Sequence, residues 1–283
     1  ESQGRVLSSS QLAAIRTTQI ASLKSDLIAA LSSDQLSVLS TDQLIAMSTA
    51  QAAALSADQV ASLSTGQISA MEVRDLIAMA SDRFTALNSD QVVALTTAQI
   101  RGMSSAQLRA LDALDVAAMS STQIQALNNS QVSSLNNAQV QALSSSQITA
   151  LTGTQIGALG TGQMALLSSA QLRALRTDQI RALTSLQIEA LSGDQIAALS
   201  TEQIQAIDAR DMQALGSTQL IALESTHFAA LKTSQIAALT TQQIAFIEAS
   251  DIAALDTTQM QTLSTAQVYA LTMEQVSSLR GDQ

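Results

Sequence analysis

The chain has 283 residues and a formal net charge of −10, with no Cys, Pro or Trp, three Phe and one Tyr. So little aromatic surface excludes the usual globular core of this length, and the lack of Cys removes disulfides and thiolate metal sites while leaving the redox compartment open. Thirteen dispersed Lys and Arg do not make the clustered positive surface that nucleic acid requires. No apolar run approaches the roughly 18 to 20 residues of a membrane span.

From Ser8 to Leu279 the chain reads as 34 consecutive octads, lettered a to h, without an insertion or deletion. Position h is Leu, Ile or Met throughout, e is a larger apolar residue except at Ala52, g is Ala in 25 octads and d is Gln in 27. The consensus is S-T-x-Q-I-x-A-L. Ser or Thr at a is an N-cap and Gln at d stands at N3, which together form a capping box. The preceding h and the following e then occupy the two apolar positions of a hydrophobic staple. Charge sorts in the same sense: 21 of 23 acidic residues lie at a, c or d, and ten of 13 basic residues lie at f or a. A helix start favours anions and a helix end favours cations.

These signals predict an all-α solenoid of short helices of about six residues, one per octapeptide, forming an elongated rod or superhelix. One unbroken helix is disfavoured, because eight residues turn the apolar stripe by roughly 80° per repeat. A β-solenoid competes through the β-branched residues but lacks strict alternation. Two octads per turn is the favoured arrangement, with three or four as alternatives. Small Ala at g lets backbones approach, and each unit depends on stacking for stability. The expected organisation is a single continuous array over residues 1–283, with partial octads at both ends, where Gln3 and Gln283 occupy d.

Departures from the consensus come in chain order. Glu72 and Asp75, Asp112 and Asp115, Asp208 and Asp211, and Glu248 and Asp251 begin octads with an acid and replace Gln by Asp. The first and third pairs, and the second and fourth, stand 136 residues apart, which suggests a super-repeat of 17 octads. Each pair reads as an alternative helix start, and two ligands fall short of the six to eight that calcium prefers. Arg83 precedes Phe84 and His227 precedes Phe228 at d and e, while Leu166 and Phe246 enlarge g, changes that predict local repacking. Gly153, Gly157, Gly160 and Gly162 mark either a kinked joint or drift at exposed positions. Arg280, Gly281 and Asp282 spell RGD at ordinary a, b and c positions, as chance would. The Ser and Thr rows that could present an ice-binding face are explained by capping.

The stretches Gln195–Thr201 and Gln235–Thr241, and the acid-started Ile247–Leu255, resemble octapeptide repeat arrays of long bacterial proteins. The resemblance covers essentially the whole chain and implies a cell-surface or secreted location. One isolated His and repetitive Ser without an oriented base give no catalytic, cofactor-binding or metal site. The expectation is a non-catalytic structural module, a spacer, stalk or self-assembling fibre segment. Its expected partners are copies of itself or the continuation of a larger chain. The alternative is a solenoid binding module that recognises a protein or glycan through b, c and f, without nucleic acid or a membrane span.

Overall fold

The computed structural model describes residues 7–283. Gln3 lies outside the described residues, and of its partial octad Leu7 alone is described. All secondary structure among these residues is helical: 32 α-helices and two 3-10 helices, one for each of the 34 octads, with no strand. The α-helices have five or six residues, from Ser9–Ala14 to Met273–Ser278. The 3-10 helices are Ser81–Ala86 and Asp211–Ala214.

With exceptions such as those at Lys24, Glu72, Ala80, Arg210 and Glu248, the capping logic accounts for most starts. Ser48, for example, has an extended backbone (φ −78°, ψ 156°), and its hydroxyl accepts from the backbone N–H of Gln51 at 3.3 Å. The Gln51 side chain reaches back, its Oε1 accepting from the Ser48 N–H at 2.7 Å. Each octad thereby restarts a helix before the previous one has made two turns. The far end closes with a short bond of 3-10 type, as when Leu55 N–H donates to Ala52 O at 3.2 Å.

Helices this short have no stability alone, because the nucleus costs more than so few hydrogen bonds return. The apolar e and h side chains supply the remainder. Ile100, Leu108, Ile148, Ile196 and Ile236 at e are fully buried, and Leu95, Leu111, Leu151 and Leu199 at h are nearly so. The chain divides into two compact units, one ending at Leu143 and the other starting at Ser144. In the first, Thr49–Ala53 packs on Val73–Ala78, and Ala113–Ala118 packs on both Ser89–Ala94 and Asn137–Ala142. In the second, Thr177–Arg181 packs on both Gly153–Gly157 and Thr201–Ala206.

Every one of these partners is three octads away, which corrects the expectation of two octads per turn. The octads adjacent in sequence meet only at corners. Burial of e and h says that helices must stack, but the rotation at each corner sets which ones do, and that rotation is not written in an apolar pattern.

Contacts three octads apart explain one exception at g. Gly102 replaces the usual Ala, and a Cβ there would lie 2.6 Å from Val73 Cγ1. Val73 is itself larger than the usual Ser or Thr at b, so the two departures compensate. The four midchain glycines produce no break: Gly153 and Gly157 lie in one regular helix, Gly160 caps the next and Gly162 lies within it, and no described residue has a positive φ. The Gly102→Ala substitution should cost about 1 kcal/mol by overpacking, while combining it with Val73→Ala should recover that loss and add the helical advantage of Ala. Denaturant midpoints of the two single variants and the double variant would reveal the coupling.

Candidate functional site

The chemistry of this chain is concentrated in the buried glutamines. A six-residue helix leaves unpaired N–H groups at its start and unpaired carbonyls at its end. Gln at d addresses both. Its Oε1 caps its own helix, and its Nε2 donates to the e and h carbonyls of the octad four earlier. Gln51 Nε2 lies 2.8 Å from Ile20 O and 2.8 Å from Leu23 O. Gln139 lies 2.9 Å from Leu108 O and 2.8 Å from Leu111 O. In the second unit, Gln235 lies 2.8 Å from Ile204 O and 2.9 Å from Ile207 O. Helices stack on the third neighbour and bond to the fourth, so one turn takes between three and four octads. Gln283 keeps the pattern in the last partial octad, with its Nε2 2.7 Å from Leu255 O.

A second set of bonds runs from f to the g carbonyl three octads later. Arg173 Nε donates to Ala198 O at 2.9 Å, and Gln205 Nε2 to Ala230 O at 2.7 Å. Arg173 therefore serves the end of a neighbouring helix, a contact that charge sorting along the sequence did not identify.

Two departures at d prove to be substitutes for Gln. His227 is buried; its Nδ1 accepts from the Glu224 N–H at 3.1 Å, and its Nε2 lies 3.0 Å from Leu199 O, 28 residues earlier. These partners assign the proton to Nε2, so the imidazole copies both halves of the amide. Arg83 copies the donor half, its Nε 2.8 Å from Leu55 O. Phe84 and Phe228 beside them are buried in the core, as repacking requires, and Phe246 at g stays 40% exposed.

The four Asp residues at d behave differently. Each Oδ1 accepts from a hydroxyl at b three octads earlier: Thr49 to Asp75 at 2.7 Å, Ser89 to Asp115 at 2.8 Å, Ser185 to Asp211 at 2.5 Å and Ser225 to Asp251 at 2.6 Å. The hydroxyls are spaced like the acids, so both 136-residue relations extend to the contacts. Burial pushes the Asp115 and Asp251 carboxyls above the ordinary range, with the serine bonds opposing and the acids Asp112 and Glu248 reinforcing the rise. No three Asp, Glu, His or Cys side chains gather to hold a metal among the described residues.

The RGD tripeptide is bound into the same frame. Arg280 Nε donates to Asp282 at 3.2 Å, its Nη2 donates to Leu255 O at 3.0 Å, and its Nη1 donates to Ala253 O. Arg176 and Asp178 repeat this pairing, which holds the Asp178 carboxyl below the ordinary range.

Replacing Gln139 by Ala removes the cap and both bridges and should cost about 2 to 4 kcal/mol. Gln139→Glu retains an acceptor but loses the donor, so its penalty should be larger at pH 7 than in acid, where a protonated Glu regains an O–H. His227→Gln should be nearly neutral, whereas His227→Phe should cost about 2 kcal/mol. Urea titrations followed by circular dichroism measure all four.

No helix among the described residues is long and apolar enough to cross a membrane. No curated protein matches the chain. The model of the ALTTAQ repeat matches ten segments, all but the last overlapping a neighbour, beginning with residues 28–65, 39–73, 68–105 and 97–135 and ending with 204–241 and 244–280. The buried glutamines at d are engaged in capping and bridging, and the protein is a repeat solenoid. With these matches spread over most of its length, the chain belongs to the ALTTAQ repeat family.

Proposed function

We propose that the chain is a structural segment, a spacer, stalk or self-assembling fibre unit, of a bacterial cell-surface or secreted protein. The reading treats residues 1–283 as one continuous array, because the octad register runs through Leu143 and Ser144 without an insertion. The observation that carries it is the repeated bond from d to the carbonyls 28 and 31 residues earlier, seen at Gln51, Gln139, Gln187 and Gln235 alike. A stack built from one repeated contact can be lengthened by any number of octads at the same stability per added turn. That property suits a part whose work is to hold other parts at a distance.

Self-assembly has a physical basis in the directed contact. One edge of a turn presents amide donors and the other presents carbonyls and apolar e side chains, so two edges from separate copies are complementary in a head-to-tail sense. Such heterologous contacts build open filaments when the rotation does not close. The surface location rests on the resemblance to long bacterial repeat proteins. Sedimentation velocity and negative-stain electron microscopy over a hundredfold concentration range should show growing end-to-end particles. Compact single copies at every concentration would overturn the fibre version.

A further inference from the structure

Position d is where each turn is bonded to the octad four earlier, and the Asp residues there interrupt that bond. Asp115 and Asp251 are 4% and 3% exposed. The carbonyls that a Gln at these positions would reach are Phe84 and Leu87 for Asp115, and Leu220 and Leu223 for Asp251, by the spacing of 31 and 28 residues seen throughout. An ionised carboxylate has no proton to offer them. Its two oxygens and the carbonyl oxygens are all acceptors, so they repel where a Gln would bridge, and the one hydroxyl on Oδ1 leaves the second oxygen without a donor from the serine.

Asp75 shows what the site provides to a carboxyl. Its Oδ1 takes the Thr49 hydroxyl, and its Oδ2 is buried with no hydrogen-bond partner. Asp75 thus has one donor for its two carboxyl oxygens. Asp75 has a guanidinium beside it, with Arg74 Nε 3.6 Å from Oδ1, and Asp211 likewise follows an arginine, Arg210. Asp115 and Asp251 follow Leu114 and Ser250 instead, so no basic residue accompanies them at c.

We propose that Asp115 and Asp251 are proton-operated clasps, one in each unit, whose neutral carboxyl donates to the octad four earlier and whose ionised form releases it. The second carboxyl oxygen would carry the proton and act as the donor that the Gln amide is elsewhere, on a side chain one methylene shorter. The serine hydroxyl on the first oxygen fixes the carboxyl orientation in both forms. The two clasps are 136 residues apart, as are Ser89 and Ser225, so the device is duplicated with the super-repeat.

The surrounding charges favour the neutral form. Asp115 has Asp112 on its own octad and Asp90 on Ser89–Ala94, no ionisable group on Asn137–Ala142, and Asp82 with Arg83 in the octad four earlier, where the two pair at 2.5 Å. Asp251 has Glu248 on its own octad, Glu224 and His227 on the octad before it in the stack, and Glu274 on Met273–Ser278. Arg280 and Asp282 in the last partial octad pair with each other, and the octad Gly216–Leu223 contains no ionisable group. Burial raises both carboxyls first and the neighbouring acids add to it, against the serine bonds and, at Asp251, against His227. A folded-state pKa above the unfolded value means that the stabilisation is complete below the unfolded value and is lost as pH rises through the folded one. The clasps close in acid and loosen as the pH rises through the folded-state value.

The test uses the full chain with 13C-carboxyl-labelled Asp, with the two signals assigned by their loss in Asp115→Gln and Asp251→Gln. Gln already occupies d in most octads, so these variants should keep the fold. Both carboxyls should titrate above the ordinary carboxylate range. Hydrogen-exchange protection, corrected for intrinsic rates, should fall several-fold at Phe84–Leu87 and Leu220–Leu223 as they ionise, and should stay high across the same pH range in the Gln variants. Titration within or below the ordinary range would overturn the proposal. So would protection that ignores the titration, or a fall of equal size in the variants.

Discussion

The constraint on which this protein rests is that a helix of six residues cannot satisfy its own ends. Such a helix exposes as many unpaired backbone groups as it pairs, and in a stacked interior those groups are out of reach of water. Glutamine resolves this with one side chain that accepts at one tip and donates at the other. Each amide closes the start of its own helix and the end of a helix in the previous turn. The buried glutamines therefore act as the equivalent of a sheet ladder for a fold that has no strands. Apolar e and h residues fill the centre, but they would pack tolerably in several arrangements. The amides select one.

Much of this was legible in the sequence, and the parts that were not share a cause. Ser48 and Gln51 announce a helix start because the capping box is local, three residues long and set by backbone geometry. The other half of the same Gln51, its donation to Ile20 and Leu23, was invisible because its acceptors are carbonyls common to every residue and lie about 30 residues back. The number of octads per turn failed for the same reason. It depends on a corner angle, and an apolar stripe records only that a face is buried. His227 and Arg83 were read as repacking beside a new Phe; the positional signal was that both stand at d, where an acceptor and a donor are needed together. His meets both needs and Arg meets one.

The Asp residues at d mark the opposite case, in which a residue that fits the N-terminal charge preference of a helix does not fit the contact between turns. Reading Asp115 or Asp251 as an alternative helix start was correct for Asp112 and Asp115, where the Asp112 carboxylate accepts from the Asp115 N–H at 2.7 Å. It left out the burial of the second acid. Local preference and tertiary demand disagree at these positions, and such disagreements tend to sit where a protein does something besides fold.

The bond from d to the fourth octad back has a direction, and that direction bears on how the chain is made. Every amide at d looks for carbonyls that precede it, so a newly synthesised octad finds the acceptors of its d residue already in place. The loop to be closed stays about 30 residues long however many octads are added, which keeps the entropic cost of each closure fixed. A ribosome could therefore release this solenoid one turn at a time, winding from its first octads onward without the delay that long-range pairing imposes on large proteins.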